Sequence, residues 1–383
     1  MSDRLQALSQ GFSKQAEWCH LLGSPFSGAL MDQSADALAN GDDFISRYMP
    51  WWTGKTAGDV STDVLPLRFL GCAHALALGG TALGDTASAL AAHYPSCDGN
   101  GKPDGVWALA LEAFAAHADF TKAYVTQPPQ TNEVARAGAL MPGLLELARL
   151  TQMPIATFEL GASAGLLQGL DRFYYQFGDA AWGDETSPCH VSPQWNTSVR
   201  PPVEASLTIA ARRACDAAPI DILNPDNALK VRSYIWADMA QRLSRLEAAI
   251  AIAQDVKPVV EDASADVWLE DVLGGTDPVP NQVRCVLHSV MWQYMPKDVQ
   301  ARAYAAIVQA GEMATVEAPF AWLRLEPEAN NRPMRVVLAI WRGNGKCDTR
   351  ILADSHPHGT QIAWRGWDDG TPVESPELVQ VFD

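Results

Sequence analysis

Blocks of Lys or Arg are missing from this chain of 383 residues: 28 basic side chains face 45 acidic ones, a formal net charge of −17. Such a field repels phosphate backbones and anionic membranes, which argues against nucleic acid and for a small molecule or a basic protein patch. Paired cysteines are missing too. Cys19, Cys72, Cys97, Cys189, Cys215, Cys285 and Cys347 are scattered, odd in number and without a C-x-x-C pair. That excludes a disulfide framework and a zinc site, and it fits a reducing compartment. No run approaches the roughly 18 apolar residues of a membrane span, and Met1–Gln10 has no apolar signal core. The expectation is a cytoplasmic protein without a membrane segment, and composition leaves its oligomeric state open. What the chain does have is a globular composition, 48% hydrophobic and 19% charged, with length enough for one large core or two.

Residues 1 to 150 contain no convincing strand and read as a helical region. Leu5, Leu8, Phe12, Ala16 and Cys19 recur at helical spacing, as do Phe69, Ala73, Leu76 and Ala77 and then Trp107, Leu111, Phe114 and Ala118. Breaks fall at Gly23-Ser24-Pro25, Gly79-Gly80 and Cys97–Gly101. From 151 to 383 the pattern changes. Apolar runs at Ile155–Leu160, Ser206–Ala210, Pro258–Val260, Val283–Val290, Ala314–Ala318, Val336–Trp341 and Thr349–Leu352 predict strands. Helical stretches at Ala164–Phe177, Asn227–Ala253, Ala265–Leu273 and Lys297–Gln309 separate the first five. The last two are separated by Arg342-Gly343-Asn344-Gly345, a hairpin signal. The predicted fold is α/β: a doubly wound, mostly parallel, seven-stranded methyltransferase-like sheet with an α-helical amino-terminal cap region. The stretch near 178–205 reads as an insertion, its length being unusual for a simple connection.

The segment Ile155–Leu166 carries most of the chemistry. An apolar run ends in Glu159, and Gly161-Ala162-Ser163-Ala164-Gly165 then leads into a helical pattern. Strand, glycine turn and helix start converge backbone N–H groups where little side chain keeps a ligand away. The same letters spell Gly-X-Ser-X-Gly, the nucleophile elbow of serine hydrolases. An elbow strand follows several earlier strands, one of which supplies oxyanion donors, and none is visible before Ile155. In methyltransferases the glycine turn follows the first strand, usually with an acidic residue near the position of Glu159. The expected cofactor is therefore S-adenosylmethionine, held by Glu159, Gly161, Ala162, Ser163 and Gly165. A non-catalytic binding protein or scaffold, and a hydrolase using Ser163, stand as alternatives.

Other residues extend this site. Asp216, with Asp221 as its substitute, follows the second predicted strand, where such folds receive ribose hydroxyls. Asp262-Ala263 follows the third, where adenine is met, although Asp262 also reads as an ordinary helix cap. His288 ends the fourth strand and is a candidate general base, with Tyr294 beside it and Trp292 as a pocket wall; a packed core histidine is the plainer account. Asn132, Glu133 and Arg136 open the helix Val134–Leu150 that feeds the first strand. They are candidates for acceptor binding, with Arg136 suited to a carboxylate, or simply a capped helix start. The helical region is expected to close this pocket over a small-molecule substrate. His356-Pro357-His358 lacks further ligands at useful spacing, so no metal is expected.

Longer motifs carry a resemblance. Pro128-Pro129-Gln130-Thr131-Asn132-Glu133-Val134, Glu159–Leu166, Asp171-Arg172, Trp182-Gly183-Asp184, Cys215-Asp216, His288–Tyr294 and Trp322–Pro327 make the chain similar, from about Leu67 to Trp364, to a bacterial family catalogued as domain of unknown function 2332. The resemblance implies a methyltransferase-like fold and supplies no reaction.

Overall fold

The computed structural model describes residues 2–130, 132–274, 278–327, 334–343 and 345–373. In chain order they form helices α1 (Asp3–Leu21), α2 (Pro25–Ala39), α3 (Phe44–Tyr48), α4 (Ala57–Thr62), α5 (Leu65–Gly79), α6 (Asp85–Ala91), α7 (Val106–Ala116), α8 (Ala118–Thr126) and α9 (Ala137–Thr151). Strand β1 (Ile155–Leu160) follows, then β2 (Tyr174–Phe177), β3 (Ala180–Trp182), β4 (His190–Val191), β5 (Gln194–Trp195) and β6 (Ile209–Asp216). Next come α10 (Pro225–Ser233), α11 (Ala240–Val256), β7 (Glu261–Asp262), α12 (Ala265–Gly274), β8 (Val283–Ser289) and α13 (Lys297–Glu312). Strands β9 (Phe320–Pro327), β10 (Met334–Trp341), β11 (Cys347–Ser355), β12 (Gln361–Trp364) and β13 (Thr371–Pro372) complete the described residues.

Contacts divide the chain into a helical unit, residues 1–131 with 224–244, and a sheet unit, residues 132–223 with 245–383. The helical unit forms where the spacing predicts. Ser2 caps α1, and Leu8, Phe12, Ala16 and Cys19 bury its inner face. Phe44, Phe69, Trp107 and Phe114 meet edge to face at the centre, with ring centroids 5.1–6.0 Å apart. Asp238 ties the later segment to the start of α2, accepting from the Phe26 amide at 2.9 Å and from the hydroxyls of Ser24 and Ser27. His74, buried in α5, bonds the Ser233 carbonyl and the Ser96 hydroxyl. Burial presses its imidazole down to about 4, so it is neutral at physiological pH.

The sheet unit is built on a ten-stranded sheet ordered β5-β12-β11-β10-β9-β8-β1-β6-β7, with β13 against β11. Seven predicted strands thus become ten. The half from β7 to β9 is parallel throughout. Beyond β9 the sheet is an antiparallel meander through β10, β11 and β12, including the predicted pairing of the last two runs. The coarse class is therefore mixed α/β with a parallel centre. All six residues of β1 are buried, so it reads as a continuous apolar run rather than an alternating one. Alternation still sorts the faces of β9: Phe320 and Trp322 pack in the core shared with α12 and α13, whereas Leu323 lies 2.5 Å from where a Cβ on Gly143 of α9 would stand.

Three strands lie later than predicted, and charge explains two of them. Strand β6 continues through Arg212 and Arg213 because Asp171 and Glu261 pair with them, at 2.5 and 2.7 Å. Strand β9 runs through Arg324 and Glu326, both buried, which broke the apolar pattern in the sequence. For the displacement of β7 we have no physical account. The predicted helix Ala164–Phe177 is instead a 3₁₀ turn, Leu166–Arg172, followed by β2. Tyr174-Tyr175-Gln176-Phe177 alternates in burial, which suits aromatic strand formers better than a helix. In the stretch read as an insertion, β3 forms a hairpin with β2, β4 joins them in a small sheet, and β5 adds to the edge of the large one.

Candidate functional site at the carboxyl end of the central strand

The chain crosses from β1 to β6 and β7 on one side, then to β8 and β9 on the other. Strand β1 is thus the switch point, and its carboxyl end is where open α/β sheets bind ligands. Register sets the acidic ends side by side: Leu160 pairs with Cys215, Cys215 with Glu261, and Asp216 with Asp262. Asp216, whose place the sequence left doubtful, closes β6 directly against the glycine turn.

That turn is built on three left-handed residues, Gly161 (φ 64°), Ser163 (φ 52°) and Gly165 (φ 69°). Asp216 holds it from one side by accepting the Ser163 amide at 2.8 Å. Asn132 holds it from the other: its amide group donates to the Ala162 carbonyl at 3.2 Å and its side-chain oxygen accepts from the Leu166 amide at 3.1 Å. Behind it, a Cβ on Gly165 would lie 2.9 Å from Val260, and Gln168 donates to the Val259 carbonyl at 3.0 Å. In front, a Cβ on Gly161 would lie 2.8 Å from Met291. Glycine is required at 161 both by φ and by this approach.

Glu159 lies two residues before Gly161 and is 5% exposed. No hydrogen bond reaches its carboxyl group among the described residues. Burial, and then the charge of Asp216, push it up to about 8, so it is largely protonated at neutral pH. The Ser163 hydroxyl is likewise buried without a hydrogen-bond partner. The turn thus presents a buried hydroxyl without a partner and a carboxyl that a nearby positive charge would ionise at neutral pH. Asp262 is exposed at the end of β7, where the Ala263 amide donates to the Asp216 carbonyl at 3.1 Å. Asp221 caps the Leu223 amide at 3.0 Å.

His288 is placed differently from a solvent-facing base. Its side chain is wholly enclosed. Its Nδ1 bonds Glu326 at 2.8 Å, and its Nε2 accepts from the Trp322 indole at 2.9 Å. Trp292 stacks on the ring at 5.1 Å. Burial holds the imidazole below its ordinary range despite Glu326, and no ring nitrogen is open to an acceptor molecule. Tyr294, by contrast, is 76% exposed. Arg136 reaches the same strand end through the Ser289 carbonyl at 3.3 Å and the Pro357 carbonyl at 3.1 Å. Glu133 is buried, accepts from the Ala135 amide at 3.1 Å and lies 3.9 Å from Arg245. Of these three, Asn132 bonds the turn itself, Arg136 the end of β8 and the Pro357 carbonyl, and Glu133 the Ala135 amide. The His356-Pro357-His358 turn folds onto itself, His356 accepting from the His358 amide at 3.2 Å. Among the described residues no cluster of His, Cys, Asp or Glu could hold a metal ion, and no helix is long and apolar enough to cross a membrane.

Two contributors escaped the sequence reading. Glu326 accepts from the amides of Met291 (3.0 Å) and Trp292 (3.2 Å) as well as from His288. Its signal was an acid inside an apolar strand. Met291, which covers Gly161, lay within the His288–Tyr294 motif without being singled out.

Residues 9–364 match the family described as an uncharacterized protein conserved in bacteria, domain of unknown function 2332, and the chain belongs to that family. No curated protein and no solved structure matches it.

Proposed function

We propose that this member of a family without an assigned reaction binds S-adenosylmethionine at the Glu159–Gly165 turn and transfers its methyl group to a small molecule. The observation that carries the reading is the Glu159 carboxyl: buried, unbonded, raised to about 8, and placed at the switch point of a parallel sheet. A cationic ligand would relieve it by ionising it, and S-adenosylmethionine carries both an ammonium and a sulfonium. The left-handed turn offers close backbone approach, and the neighbouring strand ends supply Asp216 and Asp262 for hydroxyl and amino groups. When bound, the cofactor supplies an electrophilic methyl group. The protein then has mainly to orient the acceptor. The proposal accordingly does not depend on His288, whose nitrogens are both engaged. That same engagement favours, as a second reading, a protein that binds the cofactor without turnover.

Calorimetry with S-adenosylmethionine and S-adenosylhomocysteine, in buffers of different ionisation enthalpy, tests the binding. The expected result is saturable binding of S-adenosylmethionine with release of protons near pH 7 as Glu159 ionises. Absence of binding by either compound overturns the proposal. Methyl release in a panel of small acceptors separates the transferase from the binding protein.

A further inference from the structure

Val290 is β-branched, yet its φ is 54°, a backbone region such residues rarely occupy. Conformations of this kind persist only where neighbours over-determine them. Here the Val290 amide donates to the Leu325 carbonyl at 2.9 Å. The next two amides, of Met291 and Trp292, both donate to one oxygen of Glu326, at 3.0 and 3.2 Å. Arg136 donates to the Ser289 carbonyl at 3.3 Å. Glu326 is itself fixed by His288 at 2.8 Å. The result is that Met291 stands over Gly161, its Cβ and Cγ each 2.8 Å from where a Cβ on that glycine would lie.

We infer that Glu326 is a positioning residue, and that the Ser289–Trp292 turn it holds is a cover over Gly161 that must move before a ligand reaches the Glu159–Gly165 turn. The inference rests on the reading of that turn as the ligand site. The ligand class is a small organic cation, because the strand that leads into Gly161 carries the buried Glu159 carboxyl two residues earlier. Movement of the turn would release the strain at Val290, and a ligand that binds only the open arrangement would shift the population towards it.

Hydrogen exchange and calorimetry on the full chain test this. In Met291→Ala, exchange across 161–165 rises roughly tenfold, as local opening becomes easier, while exchange across 283–288 is unchanged. Glu326→Leu raises it in the same way by freeing the turn. Glu326→Gln, which keeps an acceptor oxygen for both amides, restores the parent's exchange. If Glu326→Leu does not fold, Met291→Ala decides alone. Unchanged exchange across 161–165 in folded Met291→Ala overturns the cover. S-adenosylhomocysteine, used as the probe, is expected to bind Met291→Ala more tightly than the parent. Raised exchange with no binding to either protein supports the cover and refutes the cofactor reading.

Discussion

The Asp216 carboxylate accepts the Ser163 amide at 2.8 Å through one oxygen and the Ala218 amide at 2.8 Å through the other. One side chain at the end of β6 therefore fixes the left-handed turn after β1 and the start of its own following loop. Removing it leaves the buried Ser163 amide without an acceptor. Asp216→Ala is expected to cost about 1–3 kcal/mol, and Asp216→Asn less, since one acceptor remains. Urea denaturation should show a lower midpoint at unchanged slope. Equal losses in the two variants would contradict an account based on these bonds.

Glu159 should make stability fall as pH rises. Its native carboxyl is raised from 4.5 to about 8, chiefly by burial, so between those values the folded chain holds a proton that the unfolded chain has lost. Folding then loses up to about 1.4 kcal/mol per pH unit from this group, and the dependence levels off above the native value. Glu159→Gln removes this slope and is the more stable protein at alkaline pH. Denaturation series from pH 5.5 to 8.5 check it. Parallel curves for the two proteins would sink the assignment.

Gly161 is constrained twice, by φ of 64° and by Met291 at 2.8 Å from a Cβ. Gly161→Ala should cost about 1–2 kcal/mol from the left-handed conformation alone, and more from the contact. Only the second part should be recovered when Met291→Ala is added, so a double-mutant cycle reads a coupling between them. Binding of S-adenosylhomocysteine should be lost in a folded Gly161→Trp variant, and retention of affinity would rule out the turn as the site.

Much of this arrangement was legible because it is local. The apolar run Ile155–Leu160 ends where the strand ends, and the glycines fall where φ is positive. Asp262 was placed at a strand end by the spacing of the runs, Asp216 lay beyond its predicted run, and register brings the two together. What escaped depends on pairing across the sheet. Arg212, Arg213 and Glu326 looked like interruptions because their partners, Asp171, Glu261 and His288, lie on other elements, while Arg324 is sheltered by the ring of Trp322 on its own strand, at 4.1 Å. Of the meander beyond β9, the β10–β11 hairpin was legible from its glycine turn, but the pairings with β9 and β12 were not, since a run of apolar residues does not state which neighbour it joins. Met291 carries no pattern of its own, since its position over Gly161 is set by Glu326 on another strand.

Ser163 should not behave as a nucleophile. The Gly-X-Ser-X-Gly letters place it at a sharp turn, but its hydroxyl is buried and has no hydrogen-bond partner. A serine nucleophile needs a base within reach to take its proton. His288, at the end of the neighbouring strand, has Nδ1 on Glu326 and Nε2 on the Trp322 indole. The Ser163 amide is already given to Asp216, so that group is not available to an oxyanion. A fluorophosphonate probe is therefore expected to leave the protein unlabelled, and Ser163→Gly should be neutral or slightly stabilising because φ is 52° there. Stoichiometric labelling that disappears in Ser163→Ala would reverse this, and would move the protein from ligand binding at the turn to covalent catalysis by it.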